Sequence, residues 1–91
     1  MKITEIKIRR VFPEGALRAI VSVTFDDCLA VHDIKVIEGS ERLFAAMPSH
    51  KDDKGVYRDI VHPSCTELRN TLEGEILAAY EKAVVLETLD T

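Results

Sequence analysis

Leu17, Ala19, Val21, Val23 and Phe25 alternate with Arg18, Ile20, Ser22 and Thr24. That two-residue period predicts a strand with one apolar and one mixed face. Upstream, Ile6 and Ile8 alternate with Lys7 and Arg9, predicting a half-buried strand. Phe12-Pro13-Glu14-Gly15 and Asp26-Asp27 read as the turns that close these strands into antiparallel hairpins. A third strand is expected from about Cys28 to Ile37. A regular strand there puts Ala30, His32, Ile34 and Val36 on one face and Leu29, Val31, Asp33, Lys35 and Ile37 on the other. Both faces carry apolar residues, so cover is expected on both sides: a helix on one, a partner subunit on the other. Glu38-Gly39-Ser40 ends the strand. Leu43–Met47 predicts a short buried strand stopped by Pro48, with Val56–Val61 as its antiparallel mate and Lys51–Gly55 at the tip.

The period changes after Pro63. Leu68, Leu72, Ile76, Ala79, Ala83 and Leu86 recur at spacings of three and four, and Leu77, Tyr80 and Val84 widen the stripe. This predicts one amphipathic helix. Ser64 followed by Glu67 fits a capping box, and Thr66 is the other candidate N-cap. Gly74 in mid-helix permits close packing or marks a bend, and Val84-Val85 lowers helix propensity at the far end. The expected fold is therefore α+β: an antiparallel sheet of about five strands over residues 1–63, with a C-terminal helix over about 64–87 packed on it. A chain of 91 residues fits one domain.

Chains this short bury a smaller fraction of their surface than larger ones, which favours a staple. Cys28 and Cys65 follow no metal or redox spacing. The opening Met-Lys-Ile-Thr leads into no apolar segment, so a cytoplasmic protein with reduced thiols is expected, and dimerisation is the expected staple. The formal net charge is −4. All of that excess lies beyond residue 63, where Glu67, Glu73, Glu75, Glu81, Glu87 and Asp90 face only Arg69 and Lys82. Residues 1–63 are neutral, so a locally positive patch remains open to them.

Candidate chemistry is sparse. Asp26-Asp27 and Asp52-Asp53 lack the length of a calcium loop, and three scattered His with two distant Cys make no zinc pattern. No metal, cofactor or small-molecule substrate is expected. Adjacent residues on a strand point to opposite faces, so Asp33 is badly placed to orient His32; His62 before Pro63 suits a strand-to-helix turn. The reading is non-enzymatic. Lys51, Lys54 and Arg58 lie in and beside the hairpin tip, where long cationic side chains reach phosphates without burying charge; an ordinary solvated hairpin is the plainer alternative. Tyr57 is placed either to stack on an unpaired base or to pack on the sheet. Lys7, Arg9, Arg10 and Arg18 form a secondary basic group that either extends a phosphate track or guards an edge strand.

The run Met47-Pro48-Ser49-His50-Lys51 through Lys54-Gly55-Val56-Tyr57-Arg58-Asp59-Ile60-Val61-His62-Pro63 closely resembles the SpoVG family of bacterial septation proteins. Met1–Arg9, Leu17–Asp27 and Val31–Gly39 resemble its first three strands. The resemblance implies a dimeric α+β regulator that binds DNA and RNA, linked to septation and sporulation. The resemblance implies nucleic-acid contacts mainly in the loop and at the start of the helix; carried over by position, these are His50, Lys51, Lys54 and Arg58. His50 stands where relatives often carry Arg, and Asp52-Asp53 replaces an uncharged pair. The alternative function is a protein–protein interaction module of the division or regulatory machinery, which the acidic helix favours.

Overall fold

A computed structural model describes residues 1–89, with side chains described to residue 86. Its elements in order are β1 (Ile3–Val11), β2 (Leu17–Phe25), β3 (Leu29–Glu38), β4 (Leu43–Ala46), β5 (Ser49–Lys51), β6 (Tyr57–Asp59) and α1 (Thr66–Leu89). Strands β1 to β4 form an antiparallel sheet in chain order, and β5 pairs with β6 in a separate hairpin. Helix α1 packs on one face of the four-stranded sheet. The five-stranded expectation is therefore corrected. Val56–Val61 does not return along β4; its Tyr57–Asp59 pairs instead with Ser49–Lys51. Pro48 lies between β4 and β5, and its missing N–H breaks the ladder so that a new pair starts beyond it.

Helix and sheet meet in a core of Ala19, Val21, Val23 and Phe25 from β2, Ile34 and Val36 from β3, and Leu72, Ile76 and Tyr80 from α1. Each large aliphatic side chain buried there contributes roughly 1.5–3 kcal/mol. The helical stripe runs Leu68, Leu72, Ile76, Tyr80 and Val84 in steps of four. It does not follow the expected line through Ala83 to Leu86; Leu86 is 63% exposed. Gly74 meets nothing within 4 Å where a Cβ would stand, so it serves no close packing. The Cys65 carbonyl accepts the Arg69 N–H at 3.2 Å, which places Cys65 at the N-cap, between the two residues expected there.

Bulges correct the expected faces of two strands. In β1, Thr4 and Arg9 are extra residues against β2. Each lets two polar residues lie outward in succession, so Ile3, Ile6, Ile8 and Val11 all pack toward the core. In β3, the extra residue falls at His32-Asp33, where Asp33 takes φ 63°. Val31, Ile34 and Val36 consequently share the inner side, which regular alternation forbids. The β2–β3 turn carries Asp26 and Asp27 at φ 51° and 53° and closes with the Cys28 N–H on the Phe25 carbonyl at 2.9 Å. Two successive positive φ values are the type I′ geometry that suits twisted strands.

Candidate nucleic-acid interface

The β5–β6 hairpin is built around one carboxylate. Asp52 Oδ1 accepts the backbone N–H groups of Lys54 and Val56, both at 2.9 Å, and Oδ2 accepts Arg58 Nε–H at 2.8 Å. The Asp52 carbonyl accepts the Gly55 N–H at 3.0 Å, and Gly55 takes φ 82°. An Asp opening the turn with Gly closing it at positive φ is the chemistry this geometry needs. The Arg58 guanidinium first, and the Val56 N–H next, hold the Asp52 carboxyl below its ordinary value. At the base, the Ile60 N–H donates to the Pro48 carbonyl at 2.8 Å.

The pairing divides the expected contacts between two faces. His50 sits opposite Arg58, and Lys51 opposite Tyr57. Lys51 Nζ lies 5.7 Å from the Tyr57 ring centroid, within cation–π range. Tyr57 is 70% exposed, so it does not pack on the main sheet. His50, Lys51, Lys54 and Arg58 are all exposed. Among the described residues, Arg58 alone of these four is tied to a carboxylate. That contact uses one of its five N–H donors.

The secondary basic residues are not gathered with the hairpin. Lys7, Arg9 and Arg10 belong to β1, the sheet edge three strand spacings from β4, about 14 Å away. Arg9 Nε–H donates to Ser22 Oγ at 3.1 Å, and Ser22 Oγ lies 2.8 Å from His32 Nδ1. The Arg10 guanidinium stands 5.1 Å from the Phe12 ring centroid. Arg18 is held by Glu38, donating through Nε at 3.1 Å and also through Nη2, while its Nη1 donates to the Pro13 carbonyl at 3.0 Å. These contacts give Arg9, Arg10 and Arg18 structural partners. His62 Nδ1 lies 3.1 Å from the Pro63 carbonyl and supports the turn into α1.

Folding brings in a residue that pattern reading passed over. Tyr57, Arg58, Asp59, His62 and Arg69 line an open hollow of about 590 Å³. Arg69 lies in the first turns of α1, the stretch where the resemblance implies contacts, but it was not among the residues carried over by position. Asp59 and Arg69 also line an adjoining groove of about 400 Å³ with Arg42, Phe44, Met47 and Asn70. Arg42 Nη1 donates to Glu73 Oε1 at 2.9 Å, and Glu73 Oε2 accepts the Ala45 N–H at 3.2 Å. Burial pushes the Glu73 carboxyl up, but Arg42, the Ala45 N–H and the charge of Arg69 outweigh it, and the group lies below its ordinary value. Cys28 and Cys65 are exposed and free. Among the described residues, no helix is long and apolar enough to cross a membrane, and no three His, Cys, Asp or Glu side chains cluster as metal ligands.

The chain is similar in sequence to known proteins that share one name. The family profile described as SpoVG matches residues 1–82. A protein of Lachnospira eligens named "Putative septation protein SpoVG" is 53% identical over 87 residues, covering 96% of this chain and 99% of its own length. The protein of the same name in Clostridium beijerinckii is 52% identical over 90 residues, covering 99% of each chain. That of Clostridioides difficile is 52% identical over 85 residues, covering 93% of this chain and 92% of its own.

Proposed function

The chain belongs to the SpoVG family, and from that premise we propose that it is a nucleic-acid-binding regulator acting in septation. The observation that carries this reading is the exposed β5–β6 hairpin, stiffened by Asp52, in which Lys51 and Lys54 form no ion pair with any carboxylate among the described residues. Lys51 and Lys54 capture phosphates as point charges and Arg58 through its remaining donors, with His50 assisting from the position opposite Arg58. Residues 49–59 contain three bases and three acids, so the contact is electrostatically modest. It supplies position more than sequence choice. The reading remains non-enzymatic, with DNA or RNA as partner.

Binding of mixed-sequence DNA and RNA, titrated at several salt concentrations, tests this. Lys51→Ala/Lys54→Ala is expected to weaken binding and to reduce the slope of log K against log salt by roughly two for duplex DNA. Unchanged affinity and slope in that variant remove the hairpin from the mechanism.

We also propose that the protein works as a homodimer, which doubles the hairpin and raises the effective concentration of the second foothold. Leu29, Ile60 and Val61 are 51%, 65% and 39% exposed. Leu29 and Val61 rim an apolar hollow of about 200 Å³ floored by Phe25, Ile34 and Leu72. Apolar surface of this kind favours a partner, and a second copy is the occupant the small core calls for. Sedimentation equilibrium of Val61→Glu is expected to give the monomer mass against a dimer for the unaltered chain. Equal masses for the two exclude this face. The same apolar surface supports the second reading, a protein–protein module, which predicts no salt-sensitive nucleic-acid binding at all.

A further inference from the structure

We propose that the groove between the β5–β6 hairpin and the first turns of α1 seats one unpaired nucleotide of a single-stranded nucleic acid. This rests on the nucleic-acid reading above and gives it a substrate class. The two hollows share Asp59 and Arg69, so they adjoin, one reaching Tyr57 at the hairpin and the other Phe44 on β4. The inner part, about 400 Å³, falls within the roughly 300–1,000 Å³ that seats a small organic ligand.

The chemistry of its lining is that of a nucleotide. Arg58 is engaged by Asp52 and Arg42 by Glu73; among the described residues Arg69 has no side-chain hydrogen bond or ion pair, and its charge acts on Glu73 only through space. Its exposed guanidinium, at the junction of the two hollows, is the fork available to a phosphate. Glu73 has both oxygens committed, to Arg42 and to the Ala45 N–H, so its charge is largely offset within the groove. Phe44 and Met47 supply an apolar wall for a base, and Asn70 and Asp59 offer a donor and acceptors to its edge. Tyr57, 70% exposed at the mouth, offers a ring to the neighbouring base. A paired base keeps its Watson–Crick edge occupied and its faces stacked, so a duplex does not enter the groove, and its phosphates meet the hairpin lysines rather than Arg69.

The experiment measures fluorescence anisotropy of labelled single-stranded oligonucleotides and of the matching duplex, at one fixed salt concentration. The unaltered protein is compared with Arg69→Ala, Phe44→Leu and Lys51→Ala/Lys54→Ala, each checked by circular dichroism. Arg69→Ala and Phe44→Leu are each expected to weaken single-strand binding about tenfold, the scale of one lost stacking or phosphate contact, while duplex affinity stays within about twofold. Cross-linking of a 4-thiouracil oligonucleotide to peptides around Phe44 and Asn70 reads the same contact without altering the chain. Equal loss on both substrates, no loss on either, or cross-links confined to the hairpin overturns the proposal. The two readings fail separately. If the lysine variant binds both substrates as before while Arg69→Ala loses only single strands, the groove stands without the hairpin. If the lysine variant alone is impaired, the hairpin stands without the groove.

Discussion

Asp52 shows how one side chain can build and restrain a site at once. Its carboxylate closes the turn that presents Lys51 and Lys54, and the same carboxylate holds Arg58. The D-D-K-G string announced a turn, and its exposed cations were legible for that reason. The capture of Arg58 was not, because it depends on β5 and β6 pairing in one particular register. Asp33 makes the complementary case. Its φ of 63° sits at the bulge that turns Val31 and Ile34 to the same side. Asp tolerates that conformation and β-branched residues do not. Asp33→Val is expected to destabilise the fold by about 1–3 kcal/mol, read as a lower urea midpoint with an unchanged m-value. The apolar spacing of three, two and three in Ile3, Ile6, Ile8 and Val11 carried the bulges of β1 in plain view. A strict two-residue template misses it, since a bulge inserts one residue into the count.

Among the elements, α1 was the most legible in kind and the least in detail. Its period marked a helix, but several neighbouring lines of apolar residues competed for the sheet. Tyr80 and Val84 won over Ala83 and Leu86, since each step of four keeps a residue on the line of Leu72 and Ile76. Gly74 lies on the exposed side with open space around it. Gly74→Ala is therefore expected to stabilise the protein by about 1 kcal/mol, measured as a raised denaturation midpoint. The β5–β6 hairpin shows the reverse error. Two strand-like strings were visible and their partners were not, because Pro48 ended one ladder and allowed another to begin.

At the scale of the molecule, charge and acidity are linked through two carboxylates. Asp52 and Glu73 both lie below their ordinary values in the folded chain. Their stabilisation is full above the unfolded value of about 4 and is lost as the pH falls through the folded values. The melting temperature is accordingly expected to hold from neutrality down to about pH 5 and to drop below it. Glu73→Gln should flatten that drop, because a neutral amide leaves Arg42 unpaired at every pH. Thermal melts of the two proteins from pH 3 to 7 check this, and parallel curves would rule Glu73 out as a source of the acid sensitivity. Glu73 also joins the N-terminal half of α1 to the edge of β4. The same pair of elements forms one wall of the groove proposed for a nucleotide, so acid should loosen that wall.

By itself the sequence determined the α+β class, the three long strands, the helix and the exposed cationic turn. Those features depend on local period and turn chemistry, which a chain carries wherever it folds. Only the tertiary structure decided that the hairpin stands apart from the sheet, that Arg58 is held by Asp52, and that Arg69 meets Tyr57 and His62 across one hollow. These follow from the packing of segments distant along the chain, where the contact energy depends on register and crossing and no local string encodes it.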